Sequence, residues 1–134
     1  MKGIFHLQGA AEGPVIRLQT PLSFWGCVEA ETGRIIDHSQ VHHGEYLRGK
    51  VLVMPSGRGS SSASSVLAET IRNGTGPIAI VMQRPDPIIT AGAMVARSLY
   101  GIVCPVVVCP IDGIEDGRMI SISQDGDEAV IEIS

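Results

Sequence analysis

A chain of 134 residues is long enough for one domain with a packed core and too short for two of ordinary size, so a single domain is expected over residues 1–134. Its 44% hydrophobic and 18% charged content excludes intrinsic disorder, and a net charge of −4 lacks the basic excess of a nucleic-acid binder. No apolar run approaches the roughly 18 residues of a membrane span, the N-terminal residues lack a signal peptide's apolar core, and three cysteines make no disulfide framework, which points to the cytoplasm.

Residues 1–20 read as short strands interrupted at Gly9, Gly13 and Pro14, with Val15-Ile16-Arg17-Leu18 the clearest of them. Phe24 and Trp25 then sit together beside Gly26, as a packed turn or as a lip over something. Aromatic burial favours simple core residues. Glu29 to Arg34 reads as a turn, Ile35-Ile36 begins the next extended piece, and His38, His42 and His43 follow within six positions.

Val51-Leu52-Val53-Met54 is a continuous apolar run of the kind expected for a buried strand, and it leads into Pro55-Ser56-Gly57-Arg58-Gly59-Ser60-Ser61-Ser62. From Ala63 to Asn73 the spacing is helical: Val66, Leu67, Thr70 and Ile71 share a face, and Gly74 is placed as the stop. Pro77 to Met82 reads as another buried strand, and Arg84 to Pro87 as a loop. A second helix is expected from a Thr90 cap to Tyr100, with Met94, Val95, Ser98 and Leu99 on its core face and Gly101 closing it. Val106-Val107-Val108 gives a third apolar strand. Met119–Ile122 and Ala129–Ile133 alternate around an Asp125-Gly126-Asp127 hairpin turn. The fold class is α/β, with strand–helix–strand–helix–strand at the centre and β-ribbon on both flanks.

The densest polar chemistry lies between Gly57 and Ser62. A strand that ends in Gly-Arg-Gly-Ser and opens a helix brings backbone N–H groups, a guanidinium and hydroxyls to one point, at the positive end of the helix dipole. A P-loop needs a lysine after its last glycine, a dinucleotide fingerprint needs a glycine where Ser62 stands, and Gly-x-Ser-x-Gly does not occur. What remains is an anion-binding or proton-handling turn. One cap needs one hydroxyl, so Ser60, Ser61 and Ser62 exceed a capping role, and Gly57 and Gly59 let the backbone approach a ligand. The histidines have no thiol or carboxylate obviously paired with them and read as surface or loop-packing groups. Cys104 and Cys109, five positions apart around a strand, face opposite ways; free buried thiols are expected for these and for Cys27.

Several motifs in order carry a resemblance that none carries alone. Ser23-Phe24-Trp25-Gly26, then Glu31-Thr32-Gly33-Arg34-Ile35-Ile36-Asp37, then Gly57-Arg58-Gly59-Ser60-Ser61-Ser62, then Asn73-Gly74-Thr75-Gly76-Pro77, resemble the small subunit, or swivel domain, of aconitase X. The likeness runs from about Leu22 to Val108, with Cys27 where a second glycine is expected. It implies a swivelling β/β/α domain of the aconitase C-terminal type and a role as half of a dehydratase. The resemblance further implies a large partner chain that holds an iron–sulfur cluster or metal, none being bound by this chain alone, and a small carboxylate-bearing substrate. Ser60 matches the family's proton acceptor, with Arg58, Gly57, Gly59, Ser61 and Ser62 around the substrate. The Ser-Phe-Trp-Gly and Gly-Arg-Gly-Ser-Ser-Ser forms look more like members that dehydrate cis-3-hydroxy-L-proline than like those acting on mevalonate 5-phosphate. The reading from a different class is a non-enzymatic module that binds a small anion or a partner through the same turn.

Overall fold

The three apolar runs expected as buried strands lie side by side. The structure is a computed structural model that describes residues 1–58 and 62–134; Gly59, Ser60 and Ser61 lie outside the described residues. In chain order the elements are β1 (Lys2–Leu7), β2 (Ala11–Arg17), β3 (Val28–Glu29), β4 (Arg34–Ile35), β5 (Val51–Met54), α1 (Ser62–Arg72), β6 (Ala79–Met82), α2 (Pro87–Tyr100), β7 (Val106–Val108), β8 (Met119–Asp125) and β9 (Glu128–Ile133). Strands β2, β5, β6 and β7 run parallel to one another. Antiparallel pairings of β2 with β8, β8 with β9, β9 with β1 and β1 with β7 close the ring as a barrel.

Alternation along the strands divides the core in two. Val51, Val53, Ala79, Val81 and Val107 point into the barrel and meet Ile120, Ile122, Ala129 and Ile131. Leu52, Met54, Ile80, Met82 and Val106 point outward and are covered by α1 and α2. Both faces of the central strands are therefore buried, which is why they read as unbroken apolar runs. Cys104 packs in the helix-covered layer and Cys109 in the barrel layer, on the opposite faces expected for them.

Four expectations need correction. Gly13 and Pro14 do not interrupt a strand but lie inside β2, whose residues 11–14 pair with β8 and residues 15–17 with β5. The proline is tolerated where the strand exchanges one partner for the other. A Cβ on Gly13 would stand 2.8 Å from Ile78 Cδ1, so the glycine serves a close approach. Phe24 is fully buried, whereas Trp25 beside it is 61% exposed, so only the first aromatic is core.

The second helix begins at Pro87 and not at Thr90. Asp86 is its cap, accepting from the backbone N–H groups of Ile88 at 2.9 Å and Ile89 at 3.3 Å. Proline at the first helical position needs no N–H partner, so a sequence that reads as a loop is a helix start. The buried face of α2 is Ile89, Gly92, Ala93 and Ala96, while Met94, Val95 and Leu99 face outward. Gly101, at φ +67°, closes the helix as expected. No helix among the described residues is long and apolar enough to cross a membrane.

Candidate active site

Strand β5 delivers its C-terminal end to the turn, and two braces hold it there. Leu22 and Gly57 form a parallel bridge, with the Arg58 N–H donating to the Leu22 carbonyl at 3.1 Å. On the other side the Arg84 N–H donates to the Pro55 carbonyl at 3.0 Å. Gly57 is needed for a packing reason: a Cβ there would stand 2.5 Å from both Asp86 Oδ2 and Ile89 Cγ1. Gly57 thus rests on the first turn of α2, and α1 begins at Ser62, an exposed residue, with no acidic residue in its first turn.

Arg58 projects from this braced point, with a side chain 60% exposed. Its Nη2 lies 3.8 Å from Asp37 Oδ2 and donates to Cys27 Sγ, also at 3.8 Å. Cys27 and Asp37 come from the two arms of the β3–β4 ribbon, joined by the Ile36 N–H donating to the Cys27 carbonyl at 2.9 Å. Asp37 is anchored in turn by Ser39, whose Oγ donates to Oδ1 at 2.7 Å and whose N–H donates at 3.0 Å. These bonds, with smaller help from Cys27 and Arg58, hold the Asp37 carboxyl below the usual carboxylate range. Partial burial, followed by the charge of Asp37, pushes the Cys27 thiol up, so it stays protonated at neutral pH. Cys27 is half-buried and in contact with the arginine, which corrects the expectation of a buried, inert thiol. Cys104 and Cys109 are that kind of thiol, pushed by burial to about 12 and about 11.

The ribbon is fixed to α1 by the segment that follows the helix. Thr75 Oγ1 donates to the Ala30 carbonyl at 2.7 Å, and Asn73 Nδ2 donates to the same oxygen at 3.2 Å. Gly33, at φ +75°, lies so close to Thr75 that a Cβ would overlap the Thr75 carbonyl oxygen at 1.9 Å. Asn73 to Pro77 therefore works at a distance from Arg58, as the dock for the ribbon that carries Cys27 and Asp37.

The family model of the aconitase X swivel domain matches residues 1–133. The chain belongs to this family. The solved structure of Thermococcus kodakaraensis aconitase X in its holo-form has the same fold, with a TM-score of 0.86, 32% identity and coverage of 98% of both chains. The phosphomevalonate dehydratase small subunit of Methanosarcina acetivorans is 32% identical over 99% of this chain and 90% of its own length. The cis-3-hydroxy-L-proline dehydratase of Hypocrea jecorina is 42% identical over 86% of this chain, yet that match occupies only 19% of the relative. The chain thus spans about a fifth of that longer protein and most of the archaeal small subunit.

As an aconitase X swivel domain, the molecule has the α/β swivel architecture that its motifs imply, here a closed barrel with two covering helices. Three of the four motif blocks bear on Arg58: the first leads to Cys27, the second ends in Asp37, and the third contains Arg58 itself. Ser60, Gly59 and Ser61 lie outside the described residues. The histidines do not converge with this group. His38 and His43 stack with ring centroids 4.1 Å apart, and His42 bonds to Glu45 and to the Arg17 carbonyl. Among the described residues no three His, Cys, Asp or Glu side chains are grouped to hold a metal ion, and the three cysteines are dispersed. The described residues therefore do not fit an iron–sulfur cluster or metal. Sequence reasoning missed Cys27 and Asp37 as neighbours of Arg58, although the Asp-x-Ser spacing at 37–39 is a local anchoring signal.

Proposed function

We propose that this protein is the small subunit of a two-chain hydro-lyase, and that with a larger aconitase X chain it dehydrates cis-3-hydroxy-L-proline to 1-pyrroline-2-carboxylate. The observation that carries this reading is the braced turn. Backbone bonds on two sides brace the segment that carries Arg58, close to the start of α1, whose first turn holds no acidic residue. That arrangement suits an anion held at one place. It supplies half of what a dehydration needs, namely a hold on the carboxylate and a setting for the base that removes the proton α to it. The large chain supplies the rest of the pocket, the iron–sulfur cluster or metal, and the means of accepting the leaving hydroxide.

In this reading Ser60 is the base. A serine hydroxyl is a poor base at neutral pH, and positive groups that favour its alkoxide lower the cost of ionisation. Arg58 serves either as that electrostatic support or as a bidentate clamp on the substrate carboxylate. The same reading assigns Gly57, Gly59, Ser61 and Ser62 to substrate binding. Support for the hydroxyproline substrate comes from the Ser-Phe-Trp-Gly and Gly-Arg-Gly-Ser-Ser-Ser forms, since identity alone does not separate the two substrates: it is 42% to the Hypocrea jecorina enzyme and 47%, over 72% of this chain, to the phosphomevalonate dehydratase small subunit of Pyrococcus abyssi. Mevalonate 5-phosphate is the second reading, favoured by the match to nearly the whole of a separate small subunit.

The test is co-expression with the large chain, followed by assay of the complex on both compounds. Ser60→Ala is expected to leave assembly intact while kcat falls about a hundredfold or more, the scale of a lost proton-transfer group. Near-normal turnover in that variant removes Ser60 from the mechanism. A complex inactive on both compounds leaves the anion-binding module as the reading of the turn.

A further inference from the structure

Arg58 is the centre of the proposed site, yet its own backbone fixes only where the side chain begins. The side chain has several rotatable bonds and is mostly exposed, so its guanidinium needs a partner if it is to be found in one place. The partner that stands there is not on the turn. Asp37 approaches from the β3–β4 ribbon, with its Oδ2 3.8 Å from Arg58 Nη2, and its side chain is only 15% exposed. Its other oxygen is already committed to the Ser39 Oγ–H and N–H. The carboxylate is thus held in orientation, with one oxygen turned to the ribbon and the other to the arginine. Cys27 lies against the arginine as well, its sulfur accepting from Arg58 Nη2 at 3.8 Å.

We infer that Asp37 is a positioning residue that holds the Arg58 guanidinium in place just beyond the end of β5. The inference rests on the reading of Arg58 as part of the dehydratase site, and it adds the ribbon to that site. Asp37 acts only through Arg58. Its separation from the arginine also has a use: a 3.8 Å pair with an exposed cation is weak. Such a pair orients Arg58 without neutralising it, and leaves the guanidinium free to take up a substrate carboxylate or to support an alkoxide.

The experiment has two arms on the same variants, Asp37→Asn, Arg58→Gln and the double substitution. Asparagine keeps an oxygen to accept from Ser39, and thermal melts by circular dichroism check that each variant folds. In the assembled complex, with cis-3-hydroxy-L-proline and mevalonate 5-phosphate as the compounds offered, Asp37→Asn is expected to lower kcat/KM about tenfold, and by less than about twofold once Arg58 is already glutamine. A rise in KM assigns Arg58 to the carboxylate, and a fall in kcat assigns it to the base. Equal losses from Asp37→Asn in both backgrounds overturn the inference.

The second arm needs no turnover. On the full chain alone, iodoacetamide labelling followed by peptide mass spectrometry reads Cys27 against the buried Cys104 and Cys109. Removing the Asp37 charge is expected to speed Cys27 alkylation about threefold at pH 8, and removing Arg58 to slow it, because each charge acts on the thiolate fraction. No change in either variant overturns the positioning contact. If the complex turns over neither compound, the dehydratase reading fails while the labelling arm still decides whether Asp37 and Arg58 both act on Cys27.

Discussion

Helices α1 and α2 cover the same side of the same sheet, but they choose their buried faces by different rules. In α1 the large apolar residues go in: Leu67 and Ile71 are buried together with Ala63, Ala68 and Thr70, and Val66 packs at the margin. In α2 the small ones go in. Gly92, Ala93 and Ala96 face the interior with Ile89, while Met94, Val95 and Leu99 are 50%, 41% and 69% exposed. The reason is distance. A Cβ on Gly92 would stand 2.7 Å from the Ser64 carbonyl oxygen and 3.1 Å from Leu67 Cδ2, so the helices cross nearly backbone to backbone. Hydropathy says that a face can be buried; the space between neighbours decides which face is.

The sharpest way to break this comparison is at Leu67, the fully buried residue that α1 sends into the layer beneath both helices. Leu67→Ala is expected to cost about 2–5 kcal/mol, read as a lower urea midpoint with an unchanged slope. Gly92→Ala comes next. Helix propensity alone would reward it by about 1 kcal/mol, but the new methyl group meets backbone at 2.7 Å. A net loss of about 1–3 kcal/mol is expected from overpacking, and a gain in stability would sink the small-face account. Asp86→Ala removes the cap of α2, a single carboxylate oxygen that accepts from two N–H groups, for a loss of about 1 kcal/mol in the same assay. Leu99→Gln sits at the other end of the scale. It should change the stability of the chain by no more than about 0.5 kcal/mol, and a loss well beyond that would mean Leu99 packs in solution.

The same pair of helices shows what the sequence could and could not tell. The α1 face was legible because its apolar residues are confined to one side, with Glu69 and Arg72 marking the other. In α2, apolar residues run around much of the helix, from Ile88 and Ile89 to Met94, Val95 and Leu99, so periodicity names no single face. Strands β5, β6 and β7 were legible as continuous apolar runs. Closure of the barrel was not, because it depends on β1 meeting β9 from the far end of the chain and on β2 changing partners at Pro14. At the site, Gly57 and Arg58 stood out through local chemistry. Asp37 and Cys27 did not, since their place beside Arg58 is set by the docking of the ribbon through Gly33 and Thr75, a contact between distant segments.

Closure of the barrel has a consequence for how a second polypeptide would be met. An open sheet offers unpaired N–H and C=O groups along its margins, and a second polypeptide can extend it by adding a strand. Here every strand of the ring has a neighbour on both sides. The barrel has no margin to extend, so recognition falls to loops, helix surfaces, side chains and the short edges of the β3–β4 ribbon. Such a contact can be made and released without unzipping any part of the fold.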